Sequence, residues 1–504
     1  MSLPPLAQAP RITRREHLSA RTAAGLDAVL AIVPEDTDGR WFARLPESER
    51  WRGLHARTNP VAGTVRSTAL ANSRQTCAVL GYLRHGASVF EGLSLAGRML
   101  KELAGREVGS IALAAHTPAG AGAEPLAALT SAALAQSFPL PTFRKRATRA
   151  RGLRQIDLLG ARGLDLNHVL AAAAGNNLAR YLTALPPNEL DASAYRRLIA
   201  ALAREHGLTL RFLDERALRR LGANAFLAVA RGNAERTAGI AHLTYRPARR
   251  ARRGPPDVAL VGKGILFDTG GTNLKPHRAM LDMHTDMAGS AVALATLVAL
   301  ARLRAPVAAD AWLAITENRI GPSSYIPQDI VRAVNGVTIQ VMHTDAEGRM
   351  VLADTLALAA RSRPRLMIDF ATLTGTCVYA LTERMSGVFT NAQELAPQLL
   401  AAGRASGERV WSFPFDSDYD SDLESKSADI LQCAADGKGD HILAARFLNR
   451  FVPAEVPWVH LDLAAAVRHG GLAHVNTDIT GFGVRYTLEL LLKSKVLDGL
   501  GARS

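Results

Sequence analysis

The stretch Val261–Pro276, VGKGILFDTGGTNLKP, decides how this chain is read. An apolar strand beginning at Val258 runs out into a loop that carries Asp268, Gly270, Gly271 and Lys275, with Lys263 just behind it. The Gly pair permits backbone angles closed to other residues and close packing around a site. The Gly-x4-Gly-Lys-Ser/Thr order of a phosphate-binding loop is absent, and so is a dinucleotide fingerprint. Strands and helices alternate from here onward. Val258–Gly262, Ala309–Ile315, Val337–Met342, Leu366–Phe370, Val410–Phe413 and Trp458–Leu463 read as strands. Ala288–Arg302, Val351–Arg361 and His441–Phe451 read as helices. This alternation predicts a three-layer α/β/α domain with a mainly parallel or mixed sheet. Ligands then belong at the carboxyl ends of the strands.

Working upstream, a helix is expected from Leu166 to the Pro186–Pro187 break, and another over Ala192–His206. Thr76–Leu83 and Val108–Ala115 read as strands around a Leu93–Leu103 helix. The chain is therefore expected to be α/β with two domains. A smaller N-terminal α/β domain over 26–160 would supply oligomer contacts, and a larger catalytic domain would cover 165–504. Residues 1–25, rich in Pro and Arg, are expected to be flexible, and the basic segment Pro139–Arg154 to be a linker or exposed rim.

Composition sets the outer limits. With 504 residues, 48% hydrophobic and 21% charged, the chain is of ordinary globular type and long enough for two or three domains. No uninterrupted apolar run of about 18–20 residues suggests a membrane span. Met1–Arg21 lacks the pattern of a secretory signal, so a cytoplasmic location is expected. Cys77, Cys377 and Cys433 are too scattered for a disulfide framework or a CxxC metal site. The net charge of +14 leaves nucleic-acid binding or a regulatory role through a basic surface as an alternative function. Eight Lys stand against 52 Arg, a bias that a GC-rich genome alone would produce.

Chemistry concentrates in three places. Two of the eight lysines, Lys263 and Lys275, flank Asp268. Asp286 lies in Met280–Ala291, MLDMHTDMAGSA, just before a helix of small residues. His343–Leu356, HTDAEGRMVLADTL, holds Asp345, Glu347 and Arg349 at alternating positions, expected to point one way on an extended turn. Asp268, Asp286, Asp345 and Glu347 all fall at strand–loop–helix junctions. Gathered at one sheet edge they form an oxygen-rich anionic cluster suited to divalent cations. Shared carboxylates can bridge two ions about 3.5–4 Å apart. Near two dications the ammonium form of Lys263 is disfavoured, so a neutral, metal-binding amine is expected there.

These residues make the chain resemble the leucyl aminopeptidase family, also called cytosol aminopeptidases. The resemblance is carried by VGKGILFDTGGTNLKP at Val261–Pro276, TDAEGR at Thr344–Arg349, ATLTG at Ala371–Gly375, WVHLD at Trp458–Asp462 and TGFGVR at Thr480–Arg485. It covers roughly residues 170–504. His343, Thr269 and His284 depart from the family residues at their positions, and none of the three is an expected metal ligand.

The resemblance implies a two-zinc peptidase that removes N-terminal residues from peptides, with manganese or magnesium able to replace one ion. Asp268, Asp345, Glu347 and the Asp345 carbonyl would hold one ion. Lys263, Asp268, Asp286 and Glu347 would hold the other, with Asp268 and Glu347 bridging. Lys275 and Arg349 would be the catalytic pair, and Arg349 would bind bicarbonate as proton carrier. Met283, Thr372, Gly375 and Ile479 would line a pocket for a medium apolar side chain such as Leu or Met. A homohexamer acting on peptides, away from membranes, is the implied state.

Overall fold

The computed structural model describes residues 10–116, 123–145, 152–248 and 254–500. Two sheets organise them. The first has six strands: β1 (Arg11–Arg15), β2 (Ala28–Pro34), β3 (Val65–Ala69), β4 (Cys77–Leu83), β5 (Ser110–Ala115) and β6 (Gln155–Leu159). Their order is β1-β6-β5-β2-β4-β3, parallel except for the edge strand β3. Ile32 and Leu30 face one core, and Val29, Ala31 and Val33 face another, so both faces of β2 are covered. That explains its continuous apolar run.

The second sheet positions the site. Its strands are β7 (Thr209–Asp214), β8 (Gly239–Tyr245), β9 (Val258–Asp268), β10 (Ala309–Asn318), β13 (Leu366–Ala371), β14 (Ser386–Thr390), β15 (Val410–Ser412) and β17 (Trp458–Asp462). Their order is β15-β14-β17-β13-β9-β10-β8-β7. The four central strands β17, β13, β9 and β10 run parallel. β14 is antiparallel to β17, and β8 is antiparallel to both β10 and β7, so the sheet is mixed. Val258 and Leu260 enter one core together with the Ala288–Leu303 helix. Ala259 and Val261 enter the other together with the Glu347–Ala360 helix. The period-2 alternation of a strand thus builds the three layers. Segment 283–303 is long and apolar enough by composition to cross a membrane, but 83% of its most apolar window is buried within the fold.

Three readings need correction. Residues 10–25 are not a loose tail. β1 pairs in parallel with β6, and Arg15 Nε lies 2.6 Å from the buried Asp157 Oδ2. The strand expected at Val337–Met342 shrinks to β12 (Thr338–Gln340) and leaves the main sheet. It pairs with β11 (Ile330–Arg332) and β16 (Ile430–Leu431) in a small third sheet. The expected helix at Val351–Arg361 starts four residues earlier, at Glu347, which changes the geometry of the acidic motif. Of the basic segment Pro139–Arg154, residues 146–151 lie outside the described residues, as do residues 249–253 of a second arginine-rich stretch, Arg246–Arg253. Arg246 is already committed to Asp310 at 2.6 Å.

Candidate metal centre

Every expected acidic ligand sits at or near the carboxyl end of a central strand. Asp268 ends β9. Asp286 lies on the 3-10 turn Met283–Met287 that leads into the Ala288–Leu303 helix. Glu347 opens its helix, and Asp345 lies two residues before it. The β9–β10 register slips between Thr316 and Asn318, bringing Asn318 opposite Asp268. Such an irregularity re-aims a side chain beside a site. Asn318 Nδ2 donates to Asp268 Oδ1 at 2.8 Å and to the Thr344 carbonyl at 3.0 Å.

The loop after β9 needs its two glycines. Gly270 and Gly271 have φ of 87° and 64°. A Cβ on Gly270 would stand 2.4 Å from the Asn273 carbonyl oxygen, and one on Gly271 would stand 2.9 Å from Thr344 Oγ1. The bend lets the Gly270 amide donate to Asp268 Oδ1 at 2.8 Å and aims Lys275 back at the acids.

Asp268, Asp286 and Glu347 are buried, and one oxygen of each lies within 4.8 Å of the others. Lys263 Nζ stands 2.7 Å from Asp286 Oδ1 and 2.9 Å from Glu347 Oε1, and donates to the Thr372 carbonyl at 2.9 Å. Lys275 Nζ stands 2.9 Å from Asp268 Oδ2 and 2.5 Å from Asp345 Oδ1. Thr372 Oγ1 donates to Asp286 Oδ1 at 2.7 Å. Asp286 Oδ2 and Glu347 Oε2 are buried with no hydrogen-bond partner. Buried carboxylate oxygens without a partner are costly unless a cation meets them. The donor set, four carboxylates and an amine, suits hard to borderline divalent ions.

The electrostatics agree. Burial, reinforced by the neighbouring acids, pushes the Asp286 and Asp345 carboxyls up to about 6, against the pull of the lysines. Burial and Asp268 raise Glu347 well above the usual range. Burial works against the charge on Lys263, but Asp286, Glu347 and Asp268 outweigh it and hold the ammonium. The neutral amine expected there requires the carboxylate charge to be met by a metal instead. Lys275 is likewise held charged against burial, by Asp268, Glu347 and Asp345.

Arg349 departs from the expectation of one shared face. Because Glu347 starts a helix, Arg349 is the helix's third residue, and residues two apart on a helix do not face the same way. Its Nη1 donates to the Gln432 carbonyl at 3.2 Å and its Nη2 to Asp440 Oδ2 at 2.7 Å. Of the expected pocket residues, Thr372 touches Lys263 and Asp286, Met283 lies on the turn of Asp286, and Gly375 starts the Gly375–Leu381 helix. Ile479 is bridged to Val467 in the loop after β17.

The sequence reading missed the supports of this site. Gln432 is fully buried; its Oε1 accepts from the Met342 and His343 amides at 3.0 Å, and its Nε2 donates to the Ala346 carbonyl at 3.0 Å. Tyr325 Oη donates to the Thr344 carbonyl at 2.8 Å. Nothing in their local sequence marks either residue.

A carboxylate cluster with two lysines at the strand ends of a mixed α/β sheet is the arrangement of a metal-dependent peptidase. Residues 177–488 match the cytosol aminopeptidase family, catalytic domain. A probable cytosol aminopeptidase of Parasynechococcus marenigrum is 38% identical over 423 residues, spanning 82% of this chain and 85% of that protein. Among solved structures, a mutant of tomato leucine aminopeptidase superposes with a TM-score of 0.84 at 26% identity, covering 98% of this chain and 99% of that one. The bottromycin maturation enzyme BotP in complex with Mn superposes with a TM-score of 0.78 at 31% identity, covering 94% of this chain and 100% of that one. This chain belongs to the cytosol aminopeptidase family and is an aminopeptidase acting on peptides.

Proposed function

We propose that this aminopeptidase holds two divalent cations on Lys263, Asp268, Asp286, Asp345 and Glu347 and releases N-terminal residues with a medium apolar side chain such as Leu or Met. The supporting observation is the set of buried carboxylates within 4.8 Å of one another, with the Asp286 and Glu347 oxygens that no protein group satisfies. Zinc, with manganese or magnesium at one position, fits the mixed oxygen and amine donors. When bound, such ions supply Lewis acidity toward the scissile carbonyl and an attacking water.

The chain's own residues do the rest. With the ions held, a peptide's free α-amine, as a neutral nitrogen donor, would add to the donor set of the site, which an acylated nitrogen would not do. That selects the N-terminal residue. The Lys275 ammonium, held charged by its acids, is suited to stabilise the oxyanion that forms as water adds to the carbonyl. Lys263 and Thr372 both donate to Asp286 Oδ1 and so orient that carboxylate, leaving Oδ2 free for a cation. Met283, Thr372, Gly375 and Ile479 are apolar or small enough to receive a Leu or Met side chain. A methylene more or less in such a pocket is worth only about 1–3 kcal/mol, so preference should be broad. A cytoplasmic homohexamer, with the first sheet and its helices at the contacts, completes the reading. The nucleic-acid alternative draws no support from this site.

The test is hydrolysis of Leu-p-nitroanilide after chelator dialysis and re-addition of zinc, manganese or magnesium. Activity should return with metal, and should vanish in Asp345→Ala, in Lys275→Ala and with an N-acetylated substrate. A folded, metal-loaded protein without activity would count against the reading.

A further inference from the structure

Arg349 already holds an anion, and that anion belongs to the chain. Its side chain is 2% exposed, and Nη2 meets Asp440 Oδ2 at 2.7 Å. A buried guanidinium is always charged and needs an anionic partner. The bicarbonate that the resemblance places on Arg349 would have to displace this carboxylate, so the residues present do not fit it. We propose that Asp440 stands where that free anion would, as a built-in carboxylate on Arg349 that carries the proton during peptide cleavage. This rests on the metal-assisted reading above.

Three observations support the assignment. Asp440 is 24% exposed while Arg349 is 2% exposed, so the pair runs from the protein interior toward solvent. Arg349 follows Glu347 by two residues in the first turn of one helix, and its Nη1 donates to the carbonyl of Gln432, whose side chain holds the loop of Asp345, so the pair lies beside the acidic motif. Finally, Asp268, Asp286, Asp345 and Glu347 are each engaged by a lysine and belong to the metal cluster. Asp440 instead pairs with a guanidinium, which neither gives up nor takes up a proton in proteins. Its position as first residue of the Asp440–Asn449 helix favours a carboxylate electrostatically, but does not require it to point at Arg349.

The step balances. As the water oxygen bonds to the scissile carbonyl carbon, one water proton moves to Asp440. As the C–N bond breaks, the same proton moves to the leaving nitrogen. Asp440 ends ionised and one water is consumed; the proton left on the added oxygen passes to the released amine, so the products leave as one carboxylate and one ammonium. Proton transfer by a positioned group contributes about 10²–10⁴-fold.

The experiment compares the parent, Asp440→Ala, Asp440→Asn and the Arg349→Ala/Asp440→Ala double variant in carbonate-free buffer, with and without added bicarbonate or formate. The parent should be active without either anion and unaffected by them. Asp440→Ala should lose on the order of 10²-fold in kcat and recover with either anion. Asp440→Asn, which keeps an oxygen for Nη2 but accepts no proton, should stay slow in both. Independently of turnover, line broadening of ¹³C-bicarbonate should be saturable with Asp440→Ala and absent with the parent and the double variant. A parent that binds or is stimulated by bicarbonate would overturn the proposal. So would full kcat of Asp440→Ala in carbonate-free buffer. A parent inactive with every metal would instead sink the metal-assisted reading, while the broadening experiment would still decide the occupancy of Arg349.

Discussion

Replacing Gln432 by Ala should loosen the metal centre without touching an acid. The Gln432 side chain makes three hydrogen bonds, each 3.0 Å long, to the Met342 and His343 amides and the Ala346 carbonyl. These are the backbone groups of the loop that presents Asp345 and leads into Glu347. At roughly 0.5–1.5 kcal/mol net per bond, their loss sums to about 1.5–4.5 kcal/mol. Met342 and Ala346 are only partly buried, so water can replace some of the bonds, which favours the lower half of that range. In the variant, part of the metal's binding energy must order the loop that Gln432 now holds. At 1.4 kcal/mol per tenfold, metal affinity should fall roughly 10- to 100-fold, with an upper bound near 10³. Competition with a chromophoric chelator measures the affinity, and a thermal melt checks that the variant is folded. Gln432→Glu keeps the acceptor for both amides but turns an oxygen toward the Ala346 carbonyl, so it should fall between the parent and Gln432→Ala. A folded Gln432→Ala that binds zinc or manganese within twofold of the parent would refute the reasoning.

Two further outcomes follow from packing and burial. Gly289→Ala places a Cβ 2.0 Å from the Phe370 carbonyl oxygen, backbone against backbone between the Ala288–Leu303 helix and β13. It should destabilise by more than about 3 kcal/mol and lower Tm, and an unchanged melt would show that the helix can move away from β13. Burial pushes the Asp354 carboxyl up from 3.8 to about 7, against the amides of Phe226 and Val334 that donate to it at 2.8 and 2.7 Å. Because the folded pKa is the higher one, its stabilising contribution is complete below about pH 4 and is lost as pH rises through 7. Asp354→Asn should therefore show a flatter stability curve than the parent between pH 4.5 and 7.5, the difference being on the order of 3 kcal/mol by denaturant titration. Parallel curves would mean that Asp354 is ionised in the folded protein throughout.

Much of the site was legible because its residues lie in short contiguous motifs. Lys263, Asp268 and Lys275 share one strand-to-loop stretch, and Asp345 and Glu347 share one loop-to-helix stretch. Local order alone places such residues at strand ends. The central parallel strands were legible too, since burial on both faces leaves continuous apolar runs such as Val258–Val261. The antiparallel strands β7 and β8 were not read. Charged and polar residues break their pattern, as at Arg211 and His242, and it is the pairing of β8 with β10 and of β7 with β8 that makes them strands.

By itself, the sequence determined which groups are present: four carboxylates, two lysines and an arginine at the ends of α/β elements, and hence a metal-dependent peptidase. It could not determine which cation meets which acid, because those contacts join distant segments. Lys263 and Asp286 are 23 residues apart, Gln432 and Ala346 are 86, and Arg349 and Asp440 are 91. A single turn earlier or later in a helix start changes the direction of a side chain, as it does for Arg349. Only the tertiary structure brings Asp440 against that guanidinium, because the helix beginning at Glu347 and the one beginning at Asp440 must both pack against the same sheet core.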